Sequence, residues 1–477
     1  MHPQGCSAAS SPKRVTVTLG GFPVSKTVVF VGRIAAIGLA ALSLSAIPAL
    51  AQDVDRMDQV IRASADKDEF AGSVLVARDG EVLLDRGYGL ANREWSVPNA
   101  GDTKFRLASV SKQFTAVAVM ILSERGLVDL DAPMKTWMPD APAAWDGVTV
   151  RRLLNHTAGV PDFTRQDDYE ALKTQATTVE ALIARFRDRP LDFQPGEKYA
   201  YSNSGYVVLT AVIEKVSGKS YADFVTETLF KPLGMSDSGY DDHAVVLSRR
   251  ASGYVPSADG VENADYVDMS VPQGAGGLYS TTRDLLKWEQ GLFGGQLLRP
   301  QSMVELTTPG RNDYALGLVV KKDGGAATIS HSGGIEGFNT FMAYDPDKRM
   351  TVIVLGNLNG AAPDKIGGDL MTLARGGTVT LHGEHQAVVL SPEMLRTYEG
   401  VFELAPNFAL TLSVVDGRLM AQATGQQPLE LSAEAADAFF LSAMDAQITF
   451  TRDAAGAIEG LVLHQGGREM PAKKKRA

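Results

Sequence analysis

The chain all but lacks cysteine. Its 477 residues hold one, Cys6, in a segment read below as a removable leader and in no lipobox-like context. A mature chain without cysteine has neither disulfides nor thiol chemistry. A basic surplus is missing too: 46 Lys+Arg stand against 56 Asp+Glu, for a net charge of −10, the wrong sign for a nucleic-acid binder. The one basic run, KKKR at 473–476, reads as a solvated tail. HExxH, a P-loop and GxGxxG are absent. His382 and His385, three apart, have no third ligand in sight, so neither a metal nor a cofactor is expected. The rest is an ordinary globular balance, 44% hydrophobic and 21% charged, in a chain long enough for a large core and more than one domain.

Residues 1–51 read as a targeting segment. Lys13, Arg14, Lys26 and Arg33 supply positive charge without an acidic residue, and IAAIGLAALSLSAI at 34–47 is followed by PALA. Ala49 and Ala51 fit the small-residue cleavage pattern, so a signal peptide cut near Ala51 and a periplasmic or secreted protein are expected. An uncleaved anchor from Thr27 to Leu50, with Arg33 tolerated inside it, is the alternative. Removing the leader takes four basic residues and moves the net charge from −10 to −14.

Beyond the leader the hydrophobic pattern divides. GSVLVARDGEVLLDRGYG at 72–89 predicts two strands joined across Asp79-Gly80. A helix is predicted from about Ser109 to Glu124, stopped at Gly126, and further helices over 177–188, 204–218 and 220–230. Between 314 and 356 the runs YALGLVV, ATISHSG, FNTFMAYD and MTVIVLGN are rich in β-branched and aromatic residues and predict strands, closed by a helix that ends within 368–377. Parallel βαβ units are absent. The expected class is α+β: an antiparallel sheet assembled from both ends of a domain at 52–377, flanked by helices, with a helical subdomain. After a linker at 378–390, short alternating runs over 391–472 with turns at Asp416-Gly417, Ala436-Asp437 and Ala455-Gly456 predict a small all-β, lipocalin-like domain. It shows no chemistry; His464 and Asp445 read as isolated polar residues.

The first domain does carry chemistry. In LASVSKQFTA at 107–116, Ser109 and Lys112 share a helical face while Ser111 points away. Ser109 as a helix cap and Lys112 snorkelling to solvent would explain the pair blandly. Two further segments argue otherwise: YAYSNSGY, with Tyr201-Ser202-Asn203, and ISHSGGIEG, with His331-Ser332-Gly333-Gly334. Singly, Tyr201 reads equally as a core tyrosine, Asn203 as an N-cap and His331 as a strand-end histidine. In this order, on helix start, loop and edge strand, the three segments form a catalytic constellation.

With LLNHTAGVPDF at 153–163, FQPGEKYAYSNSGY at 193–206 and GAGGLYSTTRDLLKW at 274–288, the chain resembles the penicillin-recognising serine hydrolases. The resemblance is to the branch of class C β-lactamases, D-alanyl-D-alanine carboxypeptidases, D-aminopeptidases and family VIII esterases, and it covers about 60–376. It implies Ser109 as the acyl-forming nucleophile, Lys112 as its partner, Tyr201 in place of the glutamate of class A enzymes and Asn203 in the cleft. His331-Ser332-Gly333 stands where that family has Lys-Thr-Gly. His156 resembles a landmark of the family, but its spacing marks a structural turn.

The chemistry is consistent with this. A serine hydroxyl needs a base; a Lys112 enclosed in the domain loses solvation and leans toward its neutral form. Tyr201 beside an ammonium would lean toward phenolate, and the Tyr201–Lys112 couple is the expected base, with the formal base of the two left open. The N–H groups of Ser109 and Gly334 are the expected oxyanion donors. His331 attracts a substrate carboxylate only when protonated, near pH 6.5 if unperturbed. That weakens a dedicated β-lactamase, as does the extra β-domain. The leading expectation is a serine hydrolase cleaving an amide of a D-amino-acid peptide or peptidoglycan-like substrate through an acyl-serine. A carboxylesterase, a β-lactamase and an inactive peptidoglycan- or penicillin-binding protein are the alternatives, and a homo-oligomer is left open.

Overall fold

The computed structural model describes residues 46–475 apart from 324, 442, 443, 466 and 467; of 46–52, 323 and 468 it describes the backbone alone. Cys6 and residues 1–45 of the expected leader lie outside the described residues. Among the described residues no helix is long and apolar enough to cross a membrane.

Six strands make the central sheet: β1 (Gly72–Arg78), β2 (Glu81–Tyr88), β3 (Val319–Asp323), β4 (Ala326–Ile335), β5 (Phe338–Asp345) and β6 (Met350–Gly356). Their order is β3-β4-β5-β6-β1-β2 and every pairing is antiparallel. Asp79 and Gly80 both adopt positive φ, 52° and 80°, as the tight hairpin between β1 and β2 requires. The pairing Gly72↔Gly356 to Arg78↔Met350 joins the first strand of the domain to its last.

Five helices dress this sheet: α1 (Ala46–Ala65), α2 (Ser111–Glu124), α3 (Asn203–Ser217), α4 (Thr282–Phe293) and α5 (Ala362–Ala374). Alternation along buried strands sorts the core into two layers. Val74, Val76, Val352 and Val354 face Met57 and Ile61 of α1 and Ile366 and Leu370 of α5. Leu75, Ile353 and Leu355 face the other way, in one cluster with Phe114 of α2, Val207 of α3 and Trp288 of α4. All seven residues of β6 are buried, because both its faces are covered. Helix α2 stops where expected: Gly126 takes φ of 72°, the left-handed geometry glycine accepts most cheaply. The predicted helix at 220–230 also forms, as a helical turn at Tyr221–Val225 running into a π-type turn at Thr226–Phe230.

The C-terminal strands, from Gly400–Ala405 to Arg468–Lys474, close into an eight-stranded barrel, sealed by the pairs Phe402↔Lys474 and Glu403↔Lys473. Tyr398, Phe402, Phe439 and Phe450 pack in its core, so the small all-β domain holds side chains at its centre. The stretch expected as a linker does more than connect. Arg56 of α1 grips Glu384 and donates to the Val379 carbonyl at 2.6 Å. The His385 ring stacks on Phe440 at 4.9 Å and bonds Glu434 at 3.0 Å. Asp445, expected to be isolated, faces Lys365 of α5 at 3.4 Å. The barrel thus leans on α5, which covers the sheet face opposite α2.

Candidate active site

Ser109 lies in a 3₁₀ turn, Ala108–Val110, that leads directly into α2 at Ser111. Residues three apart eclipse one another in such a turn, and this brings the Lys112 Nζ to 3.0 Å from the Ser109 Oγ. The bland explanation of the pair fails. Lys112 is fully buried, and no side-chain cap bond forms at either helix start. Ser111 does point away and accepts the Leu278 N–H at 3.2 Å.

The Lys112 ammonium has two further acceptors, the Asn203 Oδ1 at 2.8 Å and the Ala275 carbonyl at 2.8 Å. The ring faces of Tyr201 and Tyr206 stand 4.8 and 5.3 Å from its nitrogen. Burial drives the Lys112 amine down to about 7, with Asp162 pulling it back up. Burial thus brings the neutral form of the amine within reach near neutral pH. Tyr201 departs from expectation. Burial raises its phenol above the ordinary value, while its hydrogen bond to Ser109 acts the other way. Lys112 presents to the ring face of Tyr201, and no shift toward phenolate comes from the ammonium. Tyr201 is a protonated phenol hydrogen-bonded to Ser109.

Sequence reasoning missed Asp162, although it lies in the quoted stretch LLNHTAGVPDF. It is buried, and it accepts the Asn203 Nδ2 at 3.2 Å and the Thr164 N–H at 3.2 Å. This fixes the Asn203 amide with its oxygen toward Lys112. Asn203 is the first residue of α3 rather than its cap, which is Ser202. His156 is structural, as read, but it props the site. Its Nδ1 accepts the Ser202 N–H at 3.2 Å, and its ring lies 4.2 Å from that of Tyr201. Burial and the neighbouring Lys112 hold His156 neutral.

Strand β4 forms the opposite wall, and its alternation splits the His331–Gly334 motif. His331 points inward and is 5% exposed, with Nε2 2.9 Å from the Tyr314 hydroxyl and Nδ1 2.6 Å from the Ser332 carbonyl. Burial, and then Lys112, push it down to about 4. His331 is therefore a neutral ring with both nitrogens engaged, and the protonation on which its attraction for a substrate carboxylate depended is shifted well below neutral pH. Ser332 is corrected as well: its side chain points to the other face, where the hydroxyl donates to Asp364. Gly333 has no room for a side chain, since a Cβ would lie 2.3 Å from the Leu107 carbonyl oxygen and 2.3 Å from the Thr340 Oγ1. The strand can approach the Ser109 turn only because this residue is glycine. Gly334 shares with Ser109 a cleft of about 440 Å³, lined also by Phe163, Tyr169, Asn203 and Glu336. Among the described residues, none of the barrel lines it.

Three non-glycine residues with positive φ surround this cleft: Ala108 at 48°, His156 at 60° and Gln273 at 47°. They precede Ser109, prop Tyr201 and open the turn that carries Ala275. Such backbone costs on the order of 1–3 kcal/mol per residue and clusters where geometry is held for function.

A family profile described as beta-lactamase matches residues 57–375. The chain belongs to the beta-lactamase family. Membership places it among serine-hydrolase-related proteins with an amide-cleaving type of chemistry. A second profile, described as a domain of unknown function, matches residues 384–474, the barrel and the segment before it. Penicillin-binding protein 4* of Bacillus subtilis (strain 168) is 30% identical over 445 residues, 85% of this chain and 95% of that protein. Among solved structures, the penicillin-binding protein of Bacillus halodurans is 28% identical with a TM-score of 0.59, over 66% of this chain and 98% of that one. The D-amino acid amidase of Ochrobactrum anthropi SV3 is 27% identical with a TM-score of 0.57, over 64% of this chain and 92% of that one. The octameric penicillin-binding protein homologue of Pyrococcus abyssi, at 24% identity and a TM-score of 0.64 over 88% and 100% of the two chains, shares the fold.

Proposed function

We propose that the protein is a serine hydrolase that cleaves an amide of a D-amino-acid peptide or peptidoglycan-like substrate through an acyl-Ser109 intermediate. The observation that carries this reading is the fully buried Lys112 amine, lowered to about 7 and 3.0 Å from the Ser109 Oγ. Neutral Lys112 takes the hydroxyl proton as Oγ bonds to the carbonyl carbon. The carbonyl oxygen becomes an oxyanion held by the N–H groups of Ser109 and Gly334. Lys112, now an ammonium, gives that proton to the leaving nitrogen, the C–N bond breaks, and the amine departs; the Tyr201 hydroxyl, hydrogen-bonded to Ser109, orients the reacting oxygen. Water then repeats the sequence on the acyl-serine. Asn203 holds Lys112 and faces the cleft; Gly333 lets β4 reach the nucleophile.

The D-residue preference rests on the names of similar proteins, a D-amino acid amidase and a D-stereospecific amidohydrolase, 27% and 26% identical. The position of the chain outside the cytoplasm, in periplasm or medium, rests on the leader pattern ending near Ala51, and N-terminal sequencing of the protein from its native cells tests it. Neither nucleic acid nor a cofactor enters the scheme. The decisive experiment is labelling with a fluorophosphonate followed by peptide mapping, beside an activity panel of a D-amino-acid p-nitroanilide, a D-Ala-D-Ala peptide, a p-nitrophenyl ester and nitrocefin. Label on Ser109 and hydrolysis lost in Ser109→Ala support the reading; an unlabelled chain, or hydrolysis that survives Ser109→Ala, refutes it. Turnover of the ester alone would favour the carboxylesterase alternative.

A further inference from the structure

The cleft contains a charge that the acyl-transfer scheme does not use. Of the described residues that line it, Glu336 alone is charged. Glu336 follows β4 at the hairpin turn, with its side chain 22% exposed. Its neighbour Lys173 is 7% exposed and lies 3.0 Å from Glu336, but it also serves Glu170 at 2.6 Å and Asp265 at 3.4 Å. Glu170 and Asp265 lie outside the lining and compete for that ammonium, so Lys173 serves Glu336 only in part and the Glu336 carboxylate is the charge this wall presents to the cleft. Among the described residues no cation lines the cleft: Lys112 is buried behind Ser109, and both nitrogens of His331 are engaged within the protein.

Resting on the acyl-serine reading above, we infer that Glu336 is a specificity-determining residue that selects substrates carrying an ammonium beside the scissile carbonyl. The class is amides of amino acids or peptides with a free amino terminus, against substrates with a carboxylate at the same place. The physical basis is charge balance. A substrate ammonium at Glu336 would pair with a carboxylate that Lys173 serves only in part, in a cleft walled by Phe163 and Tyr169, where low polarity strengthens the attraction. A carboxylate there would meet repulsion from Glu336. The wall thus disfavours the carboxylate of a β-lactam and favours the free amine of an aminopeptidase or amidase substrate.

The test uses three substrates with one leaving group: D-alanine p-nitroanilide, its N-acetyl derivative and its N-succinyl derivative, which present at the α-nitrogen an ammonium, a neutral amide, and a neutral amide whose short chain ends in a carboxylate. Wild type should rank them amine, acetyl, succinyl in kcat/KM, with at least a tenfold spread. Glu336→Gln should compress the spread, and Glu336→Lys should reverse the order of the amine and the succinyl compound. A merely structural role predicts all three falling in proportion, which would overturn the inference, as would a wild type that prefers the succinyl compound. Fluorophosphonate labelling separates the two levels. With Ser109 labelled and the ranking absent, the inference fails and the hydrolase stands; with Ser109 unlabelled, both fail.

Discussion

In the barrel, positive φ at non-glycine residues falls on Asn407, Asp416 and Asp437, each at the turn of a hairpin; around the cleft it falls on Ala108, His156 and Gln273. Asparagine and aspartate accept that geometry through local hydrogen bonding, whereas alanine, histidine and glutamine gain nothing from it themselves. The barrel bends its chain where the fold needs a turn. The cleft bends it where a side chain must be aimed. Polar burial follows the same division. The barrel core is aromatic and aliphatic, while the hydrolase domain encloses a lysine and two histidines among Tyr201, Tyr206 and Tyr314. The two regions differ in what they hold against the solvent, and only one of them has reason to.

The strongest way to break this contrast is to remove the enclosed amine. Lys112→Met should leave the fold intact, because a similar apolar stem fills the space, and should lower kcat/KM by about 10²–10⁴, the range of a general base. Steady-state kinetics on a p-nitrophenyl ester, with circular dichroism as the control for folding, checks it. Gly333→Ala comes next. Its Cβ would press on Leu107, Thr340 and Ala108, so overpacking of about 1–3 kcal/mol is expected, seen as a lower Tm together with lost acylation. The same substitution at Gly417, where a Cβ meets nothing within 4 Å, should leave acylation alone.

How far the sequence revealed this site depends on whether contacts were local. Ser109 and Lys112 are one turn apart, so their pairing could be read directly. Gly126, Asp79-Gly80 and Asp416-Gly417 were legible for the same reason. Alternation along β4 implied that His331 and Ser332 face opposite ways; what it could not supply was Tyr314 and Asp364 waiting on either side. Asp162 meets Asn203 across 41 residues of chain, and nothing in its immediate neighbours announces that contact. The phenolate expectation for Tyr201 failed because proximity to Lys112 runs through the ring face, while burial acts on the hydroxyl.

Asp162 offers a subtler test than Lys112 itself. Its charge raises the Lys112 amine from where burial alone would leave it. Asp162→Asn keeps the shape and removes the charge, so the acid limb of kcat/KM should move to lower pH. A limb that stays in place would detach Asp162 from the base. The smallest effect is expected from the barrel. Deleting 378–477 removes none of the described cleft residues, and the Bacillus halodurans relative is matched over 98% of its length by 66% of this chain. The shortened protein should melt cooperatively and hydrolyse a small ester within a factor of ten of wild type, about 1.4 kcal/mol. A larger loss would show that the ties from Arg56 to Glu384 and from Lys365 to Asp445 reach the site.

In the proposed scheme burial makes Lys112 the base for Ser109, and the pH dependence of Ser109 acylation reads that out without intermediaries. The base form must be present before the hydroxyl proton can leave, so the rate should rise with pH through about 7, where Lys112 titrates, and then level. A rate that breaks instead near 4, where His331 titrates, or that runs flat through neutrality, would contradict the claim.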